Sequence, residues 1–239
     1  MHKVHNIMIP SRNPVRRLLH IDASARLGES DRVRHGSHTR RLGRRFVEAW
    51  SATRPNDVFT HLDLLSHPPS PVDNAWIAAA FTPADQRSGA QKAVLAESDA
   101  LTAALVSADL VVIGAPMYNF GLPATLKAWI DNVVRVGVTF GFDRNRPGEP
   151  YWPMLPAGKR LVILTARGDH GYGEGERLEQ LNLVEAGLKT PLAYIGLGES
   201  DTIAIEYDEF GDARLANSIA AAETAVEDLV ARLTAQFAS

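Results

Sequence analysis

The sequence predicts an α/β fold: five parallel strands in the order 2-1-3-4-5, doubly wound, with helices on both faces of the sheet. Short apolar runs recur at 18–22, 58–62, 110–113, 161–165 and 201–206, and segments of helix length with apolar residues at i, i+3, i+4 and i+7 separate them. Crossovers of that length are right-handed and bring each strand back parallel to the one before. With 239 residues, 45% of them apolar, the chain is long enough to bury a substantial core of this kind.

Residues 1–16 read as a loose N-terminal extension, with Met8 as an alternative start, and residues 17–239 as one domain. The first strand, LLHID, leads into Ala23-Ser24-Ala25 and a polar stretch ending at Gly36. A helix to about residue 52 follows, capped by Ser37 or Thr39 and burying Leu42, Phe46, Val47 and Trp50. Beyond the second strand, residues 66–83 are proline-rich and anchored by Trp76, Ile77 and Phe81, and a helix at 84–106 precedes the third strand. Residues 109–136 are the centre of the chain. Here an apolar strand ends in Gly114 and Ala115, turns through Pro116 to Gly121, and enters a helix with Pro123 in its first turn and Leu126, Trp129, Ile130, Val133 and Val134 on one face. Residues 137–158 hold Phe140, Phe142, Tyr151 and Trp152 among glycines and prolines, too many for a bare connection. The fourth strand ends in the loop ARGDHGYGEG at 166–175; a helix at 178–188, the fifth strand and a last helix at 212–237 complete the chain.

Several classes are excluded at once. Without cysteine the chain has no disulfide, thiolate metal site or thiol nucleophile, so redox chemistry must belong to a cofactor; no metal site is expected. A net charge of −3 argues against nucleic acid or an anionic membrane as partner. No apolar run approaches the ~18 residues of a membrane span, and MHKVHNIMIPSRNPVRR lacks the apolar core of a secretory signal, so the expected location is cytoplasmic.

In the order 2-1-3-4-5 the loops after strands 1, 3 and 4 meet at one rim, where open sheets of this kind bind ligands. The first loop offers the hydroxyls of Ser24, Ser37 and Thr39 and the N–H groups of a helix N-terminus, which suit a monophosphate; plain helix capping is the alternative. The second carries Met117, Tyr118, Asn119 and Phe120, suited to a flat heteroaromatic ring, or else to capping the sheet. No GxxxxGK[ST] is present, and Gly171-x-Gly173 lacks the third glycine of a dinucleotide loop. Phosphate, ring and backbone donors together describe a flavin mononucleotide (FMN) site.

The stretch Pro116-Met117-Tyr118-Asn119-Phe120, with Leu126-Lys127 and Val136-Gly137-Val138-Thr139-Phe140, resembles the signature of the FMN-dependent NADH-azoreductases and NAD(P)H:quinone oxidoreductases, a flavodoxin-like family. The resemblance runs from about residue 17 to the last helix. It implies the FMN phosphate at Ser24, Ser37, His38 and Thr39, the ring on Pro116, Met117, Tyr118, Asn119 and Phe120, and the pyrimidine edge near Ala166, Arg167, Gly168 and Asp169. It implies a homodimer with active sites at the subunit boundary. It also implies a two-step, ping-pong transfer of hydride from NADH or NADPH through FMN to a quinone or azo compound. The backbone N–H groups of Arg167, Gly168 and Asp169 are the candidate donors for charge developing at the N1–O2 edge. No side chain is required as nucleophile; His170 and Tyr172 are candidates to donate a proton or hydrogen bond to the acceptor. Phe142, Tyr151 and Trp152 are expected either to form a lid over the acceptor or to cover a sheet edge or dimer contact.

Three features depart from the family pattern. Residues 25–36 are an extra stretch carrying Arg26, Arg32, Arg34 and His35, which either folds over the phosphate or stays solvated. Asp169 stands where a second glycine is usual, and its carboxylate either opposes flavin reduction or turns away, capping its loop or pairing with Arg167. The loop at 142–156 is longer than usual. Two other activities stay open: reduction of free flavin or a metal oxyanion, and a non-catalytic electron carrier or interaction module.

Overall fold

The computed structural model describes residues 14–237. The reading of residues 1–16 as a loose extension falls outside the described residues for 1–13, together with Met8. For residues 14–16 it is corrected, because Arg54 donates to the Pro14 carbonyl at 2.7 Å and the Arg16 N–H donates to Asp57 Oδ1 at 2.9 Å.

The elements in order are β1 (Arg17–Asp22), α1 (His38–Thr53), β2 (Val58–Asp63), α2 (Asn74–Ala80), α3 (Gly89–Ser107), β3 (Leu110–Pro116), α4 (Ala124–Val133), β4 (Phe140–Phe142), β5 (Tyr151–Pro153), β6 (Arg160–Ala166), α5 (Leu183–Tyr194), β7 (Glu199–Ile205) and α6 (Ala213–Gln236). Five of the strands form the parallel sheet β2-β1-β3-β6-β7, which is the expected 2-1-3-4-5 once the β4–β5 hairpin is set aside. Every residue of β3 is buried, as its unbroken apolar run requires of a central strand covered on both faces. On one face Leu19, Ile21, Val111, Ile113 and Ile163 pack under α3, α4 and α5; on the other Leu18, Val112, Val162 and Leu164 meet Phe46 and Trp50 of α1 and Val226 and Leu233 of α6. No helix among the described residues is long and apolar enough to cross a membrane.

Local chemistry moves three boundaries. The helix expected from residue 84 begins at Gly89, because Ser88 and Gln91 form a reciprocal capping box there and residues 84–86 make a separate 3-10 turn. The helix expected at 178–188 is instead α5, since Asn182 accepts from the Glu185 N–H as N-cap, while Glu179–Leu181 is another 3-10 turn. Pro123 caps α4 rather than sitting in its first turn, and Val134 closes it.

Candidate active site

The carboxyl ends of β1, β3 and β6 frame a cavity of about 310 Å³. At one end β1 delivers Ser24, buried at 1% exposure, and Ser37 caps α1 by accepting from the Arg40 N–H at 3.2 Å. Thr39, one turn in, lies with its hydroxyl 3.0 Å from that of Ser37. Three hydroxyls and the positive end of a 16-residue helix thus converge on one spot. His38 is fixed beside them from both ring nitrogens, by Ser30 Oγ at 2.8 Å and Asp208 Oδ1 at 3.1 Å. Asp208 also pairs with Arg26 at 3.1 Å, and Arg26 faces the same cavity. The His38 hydrogen bond, with the Arg26 charge behind it, holds the Asp208 carboxyl below its ordinary pKa. This end of the cavity is built to take an anion of phosphate size.

At the other end the chain leaves β3 through a tight turn. Tyr118 and Gly121 exchange two backbone hydrogen bonds of 3.0 Å around Asn119 and Phe120, whose φ angles are 48° and 68°. Both central residues are left-handed, as in a type I′ turn, and such a backbone is strained for a bulky aromatic residue. The strain aims Phe120 outward, 46% exposed, beside the cavity. The turn is pinned on both sides: the Tyr118 hydroxyl accepts from the Ala25 N–H at 3.0 Å, and the Met117 N–H donates to Ala166 at 2.9 Å.

The loop after β6 is zipped to the segment after β7, with Asp208 N–H donating to Arg167 and Glu209 N–H to Gly168 at 3.2 and 3.1 Å. This pairing brings Asp208 and Glu209 to the cavity wall. Gly168 is needed there, since a Cβ at that position would run into the Glu209 carboxylate. The buried Arg167 guanidinium turns inward to Glu185 at 2.6 Å and Glu206 at 3.1 Å, and its N–H donates to Ile205. Of the three N–H groups expected to face a ring edge, only those of Gly168 and Asp169 therefore have no partner among the described residues. Asp169 turns away from the first cavity: Oδ2 accepts from Arg177 at 2.6 Å and Oδ1 from the His170 backbone at 2.8 Å. The Arg177 hydrogen bond leads in lowering its carboxyl to about 2. Its partner is Arg177, not Arg167. A second cavity of about 430 Å³ adjoins the first, sharing Met117, Asn119, Gly168 and Glu209 and adding Phe120, Asp169, Tyr172 and Leu181.

Comparison with known proteins gives the family and the fold. Residues 16–230 match the model of a family described as having a flavodoxin-like fold. The FMN-dependent NADH:quinone oxidoreductase 2 of Colwellia psychrerythraea is 39% identical over 216 residues, covering 90% of this chain and 98% of the relative. The FMN-dependent NAD(P)H:quinone oxidoreductase 1 of Pseudomonas aeruginosa is 40% identical over 208 residues, 87% and 94% of the two chains. The chain belongs to this flavodoxin-like quinone oxidoreductase family. A crystal structure of an FMN-dependent NADH-azoreductase from Bacillus anthracis in complex with FMN has the same fold, with a TM-score of 0.78 over 92% of this chain and 99% of that one at 18% identity.

Eleven of the residues expected to bind a cofactor line the first cavity of this family member: Ser24, Ser37, His38 and Thr39, then Pro116 to Asn119, then Ala166 to Gly168. Phe120 and Asp169 face the adjoining cavity instead, with Tyr172, whose hydroxyl pKa burial raises. His170 lines neither; it stacks on Tyr207 at 4.6 Å. Phe142, Tyr151 and Trp152 do not form a lid within this chain. They belong to the β4–β5 hairpin, where Phe142 and Tyr151 pair at 4.8 Å and Trp152 packs on Gly141 beneath Arg146. The extra stretch at 25–36 does both things open to it: Arg26 turns to the cavity, while Arg32, Arg34 and His35 are exposed. Asp208 and Glu209 carry no motif, and only their pairing with the β6 loop puts them here.

Proposed function

We propose that the chain binds one FMN and passes hydride from NADH or NADPH to quinones, and to azo compounds, in two successive steps. The observation carrying this reading is a single cavity that joins an anion pocket of three hydroxyls and Arg26 to the strained Tyr118–Gly121 turn and Gly168. A phosphate tail fits the first end and a flat ring the second. The relatives' names, with FMN as cofactor and quinone as acceptor, support the same assignment.

When bound, FMN supplies the redox chemistry, accepting hydride from the nicotinamide and delivering it to the acceptor. The chain binds and orients. Ser24, Ser37 and Thr39 would donate to phosphate oxygens, and Arg26 would offset the phosphate charge. Met117 and Asn119 lie at the junction of the two cavities, where the ring would be contacted from both sides. The N–H groups of Gly168 and Asp169 would donate to the polar ring edge, where negative charge grows on reduction. Phe120, Tyr172 and Leu181 wall the adjoining space, which would accept one flat molecule at a time against the ring. Donor and acceptor must use it in turn, which makes the route ping-pong.

The half-exposed Phe142, Tyr151 and Tyr194 form an aromatic cluster suited to a second copy of the chain, the homodimer this reading includes. Initial rates over a grid of NADH and benzoquinone concentrations test the route. Parallel double-reciprocal lines are expected; intersecting lines contradict the two-step transfer, and FMN-loaded protein that does not oxidise NADH contradicts the enzyme in favour of a carrier.

A further inference from the structure

On the opposite side of β1 from the α3–α5 layer, a second constellation has no part in the chemistry above. His20 of β1 and His61 of β2 are register partners on adjacent parallel strands, so both imidazoles rise from the same face of the sheet, and Asp22, two residues after His20, rises beside them. The two rings stack at 4.9 Å with 24° between their planes. One ring nitrogen from each of His20 and His61 and a carboxylate oxygen of Asp22 all lie within 4.8 Å of one another.

Two of these ligand atoms are orphans. His20 and Asp22 are 7% and 4% exposed, yet His20 Nε2 and Asp22 Oδ1 have no hydrogen-bond partner among the described residues, although buried polar atoms nearly always have one. They lie 3.7 Å apart. His61 Nε2 is 2.9 Å from the other carboxylate oxygen. Ligands bound tetrahedrally at ~2.0–2.1 Å sit about 3.3–3.4 Å from one another, close to the separation of His20 Nε2 and Asp22 Oδ1. Helix α1 leaves room at this point: Gly43 faces His20, and a Cβ there would collide with Nε2. A cavity of about 510 Å³ opens from the cluster between α1 and β2, giving an ion a way in and water a fourth position.

We propose that His20, Asp22 and His61 form a divalent metal site, separate from the flavin cavity, with the ligand set of zinc. Two imidazoles and one carboxylate suit Zn²⁺ and disfavour Mg²⁺ and Ca²⁺, which take oxygen ligands. The charge facing the site is Arg40, whose Nη1 lies 3.4 Å from Asp22 Oδ2. Its stronger partners lie elsewhere, in Asp63 at 2.7 Å and the Ser24 and Arg26 carbonyls at 3.1 and 3.0 Å, so Asp22 Oδ1 stays open to the ion. Arg44, on the cavity wall, is held by Asp31 and Glu48. His61, half-exposed on the edge strand, makes the small rotation that closes the site. A bound ion would tie the edge strand β2 to β1, which runs directly into Ala23 and Ser24 of the anion pocket.

The test is calorimetric titration of the chelator-treated, FMN-loaded protein with Zn²⁺ alone, in parallel with His61→Ala, His67→Ala and a variant with His2 and His5 both replaced by alanine. The wild type, His67→Ala and the N-terminal variant should each saturate at about one ion per chain. His61→Ala should bind at least ~100-fold more weakly, since loss of even an outer-shell partner costs ~10–100-fold. His61 is exposed enough for its variant to fold, and an unchanged FMN spectrum checks this. Co²⁺ read by its visible bands gives a second readout: tetrahedral bands in the wild type and none in His61→Ala. No Zn²⁺ binding, or binding that survives His61→Ala or vanishes with the N-terminal histidines, overturns the site.

Discussion

Replacing Arg26 by alanine tests how the extra stretch at 25–36 serves the anion pocket. Its guanidinium faces the cavity shared by Ser24, Ser37, His38 and Thr39, 3.1 Å from Asp208. A hydrogen bond to a charged group contributes about 1.5–3 kcal/mol when well shielded. The Arg26 side chain is 47% exposed and already shares its charge with Asp208, so solvent screening brings the expected gain to about 1–1.5 kcal/mol. At ~1.4 kcal/mol per decade, Arg26→Ala should weaken FMN about 5–15-fold. The assay is quenching of flavin fluorescence on titration into apoprotein, run in parallel with riboflavin, which has the ring and no phosphate. Riboflavin affinity should not change, and the FMN difference should shrink in high salt as the exposed charge is screened. A change below about twofold, or an equal loss for riboflavin, would refute the role given to Arg26.

Other residues carry sharper expectations than the sequence alone allowed. Trp152→Ala should lower stability by about 2 kcal/mol, less than the ~3–5 of a fully buried aromatic, and leave quinone KM values unchanged because Trp152 packs on Gly141 and lines neither cavity. Denaturant melts and KM measurements over several quinones check this, and a selective rise in KM would restore a lid. An unpaired carboxylate ~6 Å from the ring at an effective dielectric of ~20 would lower a two-electron potential by about 60 mV. Because Arg177 neutralises Asp169 at 2.6 Å, Asp169→Gly should move the midpoint by much less in a spectroelectrochemical titration; a shift of that full size would contradict the pairing. Burial opposes ionisation of Glu185, but hydrogen bonds from Lys189 and Asn182 and the Arg167 charge outweigh it and lower its pKa. Its contribution to stability is then complete above the ordinary value of ~4.3 and is lost as pH falls through the lowered one. Glu185→Gln should lower the melting temperature at pH 7 and flatten the acid limb below about pH 4, and melting curves that stay parallel to the wild type at every pH would contradict this.

The central strands were legible because residues buried on both faces must be apolar throughout, as in β3 and β6, and the rim followed from strand order. The first loop was legible from its hydroxyls and the turn from its aromatic, thioether and amide side chains. What escaped was contact between distant loops. Asp208 reaches His38 across 170 residues, and nothing in the local pattern of either stretch marks the pair. The same holds for Glu209 against Gly168, and Arg177 takes the Asp169 carboxylate, which the sequence left open between facing the ring and turning away. Phe142, Tyr151 and Trp152 stayed open between a lid and a covered edge or dimer contact, because aromatic content marks a surface worth burying and only the hairpin register sets Phe142 against Tyr151 and Trp152 against Gly141. The helix expected at 178–188 was displaced because residues 178–181 share its apolar spacing, while the cap at Asn182 decides where regular hydrogen bonding begins.

The cavity between β1, β3 and β6 joins an anion pocket to a ring wall, the two parts that a mononucleotide requires. The most direct test of the account is therefore to release the cofactor of the purified, reconstituted protein with acid, identify it and count it per chain. FMN at about one per chain is the result the account predicts; FAD, or protein that holds no flavin after reconstitution, would contradict it.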